Sequence, residues 1–284
     1  MTTPTTALAT ASRTDSRSGP PDAGSDGSRR GHALGDLALL THRSLLRELR
    51  QVDGIIVSLL LPVMITLAFV YVFGGAIDLG GSDLSYVDFV APAIVVLAAG
   101  YGAANTAVGV AEDMTGGIVD RFRTLPVASW TVPSAYVVAS VVRNLVTTAV
   151  ALLTAVAVGF RPAASPSDWL LVLALVTGYI LALSALGVVW GLLVRSAQAA
   201  GAFAFFALFL PYASDAFVPA ESMPGALRVF AEHQPMTPVV QTLRGLLLDQ
   251  PVGDAGWLAA LWLAGATLVG VVLAASLFRR RARG

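Results

Sequence analysis

Six apolar stretches account for most of this sequence, and each is about as long as a helix that crosses a bilayer. They comprise residues 54–73, 89–110, about 140–160, 169–194, 197–214 and 257–278. Crossing about 30 Å of hydrocarbon takes about 20 residues at roughly 1.5 Å per residue. A spanning segment must satisfy its own backbone polar groups, which favours helices over open sheets. The sequence therefore predicts an all-α membrane protein with six transmembrane helices.

Charge is almost absent from these stretches. Five contain no charged residue, and the third contains only Arg143, near its beginning. Arg143 either extends its guanidinium group to the membrane surface or marks a functional charge inside the bundle. Over the whole chain 56% of residues are hydrophobic and 13% are charged, whereas a soluble domain has about 25% charged residues. Composition thus agrees with a membrane protein.

The chain divides into three parts by composition. Residues 1–32 are rich in small and polar residues without an aromatic side chain, so we expect a disordered tail. Residues 33–279 contain the six-span domain, and residues 280–284 form a short basic tail. Residues 33–51 show the pattern of a basic amphipathic helix. This helix is expected either to lie in the inner membrane interface or to form a solvated extension of the first span.

Arginines between the spans predict the orientation. With a cytoplasmic N-terminus, ten arginines near span ends lie inside and only three lie outside, namely Arg161, Arg228 and Arg244. Membrane proteins keep an excess of basic residues in their cytoplasmic loops. Both termini are therefore expected to be cytoplasmic.

Two connecting segments have patterns of their own. In the cytoplasmic loop 111–130, Ile118, Phe122 and Leu125 form a narrow apolar face that suits either docking in a partner's groove or a simple connecting helix. In the outer segment 217–256, several prolines precede a helical pattern that begins near Met236. This segment is expected to contain short helices that dip into the outer leaflet or, alternatively, an ordinary surface loop with one amphipathic helix.

The sequence lacks the signatures of an energy source or a catalytic site. It has no cysteine, no clustered histidines, no nucleophile motif of the G-x-S-x-G type and no P-loop. No carboxylate lies within a span, although carriers driven by ion gradients generally need one there. The zero net charge argues against a nucleic-acid partner. We expect a non-catalytic chain that binds no cofactor and takes its energy from another protein.

Three motifs, taken in order, make the chain similar to a known family. The first motif lies in the cytoplasmic loop and consists of Glu112-Asp113, Gly116 and Arg121-Phe122-Arg123-Thr124-Leu125-Pro126. The second follows the fifth span and consists of Phe217-Val218-Pro219 and then Met223-Pro224. The third consists of Gln234-Pro235-Met236-Thr237-Pro238 and then Leu243-Arg244-Gly245. With the six-span layout, these motifs resemble the permeases of type-2 ABC exporters, in particular the daunorubicin-resistance-like drug-efflux group. The resemblance covers about residues 34–277.

The resemblance implies an assembly in a bacterial cytoplasmic membrane. Family members pair two six-span permeases with two separate P-loop ATPases, so the implied partners are such an ATPase, a second permease of the same or a homologous sequence, and membrane lipid. ATP and magnesium would bind to the ATPase alone. Residues 33–51 would form an interfacial connecting helix and residues 217–248 extracellular re-entrant helices. The implied coupling helix, which rests on the ATPase, carries Glu112, Asp113, Gly116, Arg121, Phe122, Arg123, Leu125 and Pro126.

The same resemblance implies a substrate path between two permeases, lined by the second and fifth spans. The candidates are Tyr101, Asn105, Thr106, Phe203, Phe206 and Tyr212. Asn105 could equally join neighbouring helices, since Gly100 and Gly102 allow close packing there. The expected cargo is a drug, an antibiotic or another amphipathic small molecule. The alternatives are export of lipid or polysaccharide, and a membrane scaffold or sensor that uses the loop only to dock a cytoplasmic partner.

Overall fold

The computed structural model describes residues 41, 52–74, 84–116, 131–218 and 223–283. The predicted tail at 1–32, the segment 33–51 except Thr41, and the loop from 117 to 130 lie outside the described residues. Within the ranges 52–74, 84–116, 131–218 and 223–283, eight α-helices follow one another, and a π-helical stretch, Ala68–Phe73, continues the first. They are α1 (Val52–Leu67), α2 (Tyr86–Thr115), α3 (Thr131–Ala157), α4 (Pro166–Leu193), α5 (Ala197–Tyr212), α6 (Gly225–His233), α7 (Met236–Leu247) and α8 (Ala255–Arg283).

Serine side chains fix the start of three of these helices. Ser85, Ser165 and Ser196 precede α2, α4 and α5, and each hydroxyl accepts a hydrogen bond from a backbone N–H in the first turn, at 3.2, 3.3 and 3.2 Å respectively. The side chain of Asp168 accepts a bond from the Ser165 N–H in return, at 3.0 Å. Such caps satisfy N–H groups that the helix itself leaves without partners.

Helix α2 is the centre of the bundle. It contacts α1, α3, α4, α5 and α7, and 83% of its most apolar 18 residues are buried, against 17% in α8. Helix α8 packs chiefly on α4 and α7 and lies at the periphery. Among the described long apolar helices, α2 is therefore the most buried.

Small residues bring α4 against α2. Ala103, Ala107 and Gly191 are buried where the two helices meet. A Cβ atom at Gly191 would lie 2.5 Å from the Ala107 carbonyl oxygen. Helices in membranes associate closely where such small residues let their backbones approach. This contact holds α4 in one position along the length of α2.

Among the described residues, four helices are long and apolar enough to cross a membrane: Tyr86–Thr115, Thr131–Ala157, Pro166–Leu193 and Ala255–Arg280. Two shorter apolar helical stretches, Leu59–Val72 and Ala197–Tyr212, accompany them. These six segments coincide with the six apolar stretches of the sequence. Over the residues that the structure describes, the protein is entirely helical, as the sequence predicts.

Candidate functional site

The end of α2 and the start of α3 border the loop at 117–130. Asp113, in the last turn of α2, is only 8% exposed, and its carboxylate accepts a hydrogen bond from the Tyr136 hydroxyl of α3. Its neighbour Glu112 is exposed. The Gly116 N–H donates to the Glu112 carbonyl oxygen at 2.8 Å and ends the helix. The two carboxylates of the loop motif therefore occupy different environments, one at the surface and one inside.

The remaining residues of the predicted coupling helix fall outside the described part of the chain. They are Arg121, Phe122, Arg123, Leu125 and Pro126. The structure describes the helix ends on either side of that segment, at Thr115 of α2 and Thr131 of α3. Their relative position is fixed in part by the contact between Asp113 and Tyr136.

Four buried polar side chains join α2, α3 and α4. The Thr106 hydroxyl donates to Ser140 Oγ at 2.7 Å, and Ser140 Oγ lies 2.7 Å from Ser184 Oγ. The Asn144 amide donates to Ser140 Oγ at 2.9 Å. All four are at most 5% exposed. Hydrogen bonds of this kind between membrane helices contribute about 0.6 kcal/mol each on average, so the cluster fixes the position of the helices more than it stabilises them.

Close contact between α2 and α3 surrounds this polar cluster. The Arg143 guanidinium donates to the Gly102 carbonyl oxygen at 3.2 Å, so it binds the neighbouring helix. A Cβ atom at Gly102 would collide with Asn144 Oδ1. Ser140, Asn144 and Ser184 were not among the residues selected from the sequence. Ser140 and Asn144 are one turn apart on α3, and this spacing is the signal that could have found them.

The six predicted path residues have different surroundings. Thr106 belongs to the buried polar cluster, whereas Tyr101 and Asn105 on α2 are half-buried. Phe203 is 6% exposed and packs near Trp190 of α4, with ring centroids 6.3 Å apart. By contrast, Phe206 is 53% and Tyr212 48% exposed. Because Phe203 and Tyr212 are separated by nine residues, or about 13 Å along the helix, the six do not form one cluster.

Aromatic rings connect α1 to the far end of α5. The ring of Phe69, in the π-helical stretch, stacks on Phe217 with centroids 4.6 Å apart, and Phe217 stacks on Tyr212 at 4.9 Å. Stacked pairs of this kind contribute about 0.5–1.5 kcal/mol beyond burial of their area. π-Helical turns are frequent at functional sites. The exposed face of Tyr212 continues along α5 through Phe205, Phe206 and Phe209.

A buried charged residue of α7 meets the same end of α5. The Arg244 guanidinium donates to the carbonyl oxygens of Asp215 and Ala216 at 3.2 and 3.3 Å. Its central carbon lies 4.0 Å from the ring centroid of Phe89, near the start of α2. The Gln241 amide donates to the Asp215 carboxylate at 2.7 Å. The turn after α5 and the start of α2 thus both contact Arg244 of α7.

Burial shifts the pKa values of Asp215 and Arg244 in opposite directions. Desolvation raises the pKa of the Asp215 carboxyl above its ordinary value, although the bond from Gln241 and the charge of Arg244 act in the opposite direction. Desolvation likewise lowers the pKa of the Arg244 guanidinium, which the Asp215 charge partly offsets. The shortest nitrogen–oxygen distance of the ion pair is 3.9 Å, so the close contacts of Arg244 are to backbone carbonyl oxygens.

Comparisons with known proteins agree with the sequence motifs. Residues 36–248 match the model of the family described as ABC-2 type transporter. The chain is 28% identical, over 85% of its length and 87% of the relative's, to the probable doxorubicin resistance ABC transporter permease protein DrrC of Mycobacterium tuberculosis. It is 27% identical to the daunorubicin resistance ABC transporter permease protein DrrB1 of Streptomyces coeruleorubidus, covering 78% of this chain and 79% of that one.

These findings confirm the resemblance to type-2 ABC exporter permeases that the motifs indicate. The family match spans more than half of the chain, and the similarity to the two permeases extends over most of each protein. The apolar helices of the structure agree with a multi-pass protein of the cell membrane. The chain belongs to the ABC-2 type transporter family of membrane permeases.

Proposed function

We propose that this chain is the permease subunit of an ATP-driven exporter that moves drugs or other amphipathic small molecules out of the cell. The observation that carries the proposal is its similarity, over most of its length, to permeases named for resistance to doxorubicin and daunorubicin. The exposed aromatic face of α5 supports it, since aromatic rings bind planar, amphipathic compounds by stacking.

All six apolar helices cross the membrane in this proposal, and both termini are cytoplasmic. The excess of arginines in the loops that would then be cytoplasmic supports this orientation. The segment from Glu112 to Pro126 would contact the ATPase as the coupling segment, and α6 and α7 are the extracellular helices between the fifth and sixth spans. Since Phe89 and Asp113 are 24 residues apart on α2, about 36 Å separates the coupling end from the extracellular end.

Energy comes from a separate P-loop ATPase subunit that binds ATP and magnesium. The sequence contains no lysine and no phosphate-binding loop, so ATP would be hydrolysed outside this chain. ATP-driven closure of two ATPases would push on the coupling helices of two permeases. A second copy or a homologue of this chain would complete the path.

The substrate path runs between the two permeases along α2 and α5. Support comes from the exposed rings of Phe206 and Tyr212 on α5 and from the half-buried Tyr101 and Asn105 on α2. Thr106 and Phe203 lie behind that surface and hold its helices in place. A planar substrate would contact the exposed rings and leave the packed core undisturbed.

Reconstitution in lipid vesicles tests the proposal. The permease alone should neither hydrolyse ATP nor move doxorubicin in response to a proton or sodium gradient. Addition of the ATPase that co-purifies with it should produce ATP hydrolysis and doxorubicin movement together. A partner whose P-loop lysine is replaced by alanine provides the matched control and should abolish both. Gradient-driven movement by the permease alone would contradict the proposal.

A further inference from the structure

Arg244 is a buried cation that has no part in the proposed contact with the ATPase. Its side chain is 12% exposed, and that of Asp215 is 11% exposed. Charged groups within or against a membrane bundle are costly and usually serve function. A buried ion pair often stabilises a fold no better than apolar residues of the same size would. The burial of Arg244 therefore requires an explanation other than stability.

The contacts of Arg244 divide between the two helices that line the proposed path. Its hydrogen bonds at 3.2 and 3.3 Å go to the backbone at positions 215 and 216, directly after α5. Its cation–π contact goes to Phe89 in α2. Arg244 itself belongs to α7, which packs against both α2 and α5. The guanidinium group thus holds one end of α5 against one end of α2.

The planar shape of the guanidinium group makes this arrangement possible. One face lies over the Phe89 ring while one terminal nitrogen is shared between two carbonyl oxygens. A cation–π contact and hydrogen bonds from a charged donor both favour the state in which they form. Such contacts can hold a closed state, yet binding of a ligand or an ATP-driven movement of the ATPase can overcome them.

We propose that Arg244 is a positioning residue that clasps the turn 213–217 and Phe89, and thereby holds the extracellular ends of α2 and α5 together so that the path these helices line between the two permeases is closed at that end. Opening of the path would separate the guanidinium group from one of its two partners. This inference rests on the proposed export function and on the extracellular placement of α7. It assigns closure to the backbone and ring contacts, and not to the charge of Asp215.

A single cysteine reports whether the clasp is closed. Ala213, in the turn after α5, is 5% exposed, and the native chain has no cysteine. In the assembled exporter, Ala213→Cys should react slowly with a membrane-impermeant maleimide. Arg244→Gln should raise that rate about tenfold, within the usual range of conformational coupling, and lower the doxorubicin moved per ATP. Arg244→Lys should give an intermediate rate, since an ammonium group lacks the planar fork.

Two variants separate the clasp from a general effect of charge. Asp215→Asn keeps both backbone carbonyl oxygens and should leave the labelling rate close to that of the parent. Glu232→Gln removes the partner of Arg228 in an exposed ion pair on α6 and should also leave the rate unchanged. If Arg244→Gln does not assemble, Phe89→Leu removes the ring and should raise labelling in the same direction.

The outcomes distinguish this inference from the proposed function. An unchanged labelling rate in Arg244→Gln and Phe89→Leu, in an exporter that moves doxorubicin, would refute the clasp alone. So would an Asp215→Asn variant that is labelled as fast as Arg244→Gln, since the carboxylate charge would then be responsible. Absence of ATP-dependent movement in the parent protein would instead refute the export function, because labelling needs no transport.

Discussion

The Tyr136 hydroxyl donates a hydrogen bond to the Asp113 carboxylate, and this contact joins the last turn of α2 to the second turn of α3. The segment 117–130 connects these two helices in the sequence. Asp113 is buried, so the bond forms in a poorly solvated setting where hydrogen bonds to charged groups contribute more than they do at the surface. A force applied to the loop would reach the two helices together.

Tyr136→Phe should uncouple ATP hydrolysis from transport. The variant loses the hydroxyl donor and keeps the ring, so insertion and assembly should be preserved. Because the base of the loop is then held less firmly, doxorubicin moved per ATP should fall about fivefold, at the lower end of typical coupling energies. Transport and hydrolysis measured on the same vesicles give this ratio.

Tyr179→Phe is the matched control for that variant. Tyr179 is 2% exposed, and its hydroxyl has no hydrogen-bond partner among the described residues. Removal of this hydroxyl loses no bond and relieves the cost of burying a polar group. The transport ratio should stay at the parent value. Equal loss in the two variants would show that the effect of Tyr136→Phe does not come from the bond to Asp113.

The long apolar stretches of the sequence predicted the membrane helices and missed their ends. The apolar pattern of the second span covers 89–110, whereas α2 extends over Tyr86–Thr115. An apolar pattern shows which side chains avoid water. A helix, by contrast, ends where other groups satisfy the hydrogen-bonding capacity of its terminal backbone N–H and C=O groups. Ser85 supplies that cap at one end, and Gly116 terminates the helix at the other. Charged residues near the ends, such as Asp88 and Glu112, belong to the helix although they interrupt the apolar pattern.

The candidate site shows a different limit of sequence reasoning. Glu112 and Asp113 are adjacent carboxylates that look equivalent in the sequence, yet a rotation of about 100° per residue points one outward and the other inward. Thr106 looks like a path residue, but its hydroxyl bonds Ser140, which is 34 residues away in the chain. Only the packing of the bundle decides which polar side chains meet.

Gly102→Ala should destabilise the bundle between α2 and α3. The added Cβ atom would collide with Asn144 Oδ1, a buried atom in a tightly packed contact. Overpacking of a core usually costs about 1–3 kcal/mol, so the detergent-solubilised protein should unfold at a lower temperature. Gly265→Ala in α8 is the matched control, since no atom lies within 4 Å of the Cβ that it adds. A variant at Gly102 as stable as that control would contradict the packing argument.

The orientation of the membrane helices can be tested with two engineered cysteines. Thr115 and Gln250 are both exposed, and the native chain contains no cysteine. In intact cells, Gln250→Cys should react with an impermeant maleimide, whereas Thr115→Cys should react only after the membrane is permeabilised. Reaction of Thr115→Cys in intact cells, with Gln250→Cys protected, would reverse the proposed topology.

Asp215→Asn should not reduce thermal stability at neutral pH. Burial raises the pKa of the Asp215 carboxyl above its ordinary value of 3.8. A folded-state pKa above the unfolded one means that this group stabilises the fold below the unfolded pKa, and that the contribution is lost as pH rises through the folded pKa. At pH 7 the ionised carboxylate therefore carries a desolvation cost that asparagine avoids.

The difference in unfolding temperature between Asp215→Asn and the parent measures this cost. The variant should unfold at an equal or higher temperature at pH 7. Its advantage should shrink as the pH is lowered through the ordinary carboxyl pKa of 3.8, below which the parent carboxyl is protonated in both states. Arg244 is the one charged group whose field acts on Asp215 among the described residues, and it stays cationic over this range. A variant that is less stable at pH 7 and recovers in acid would show that Arg244 outweighs burial, and that the ion pair itself holds α7 in place.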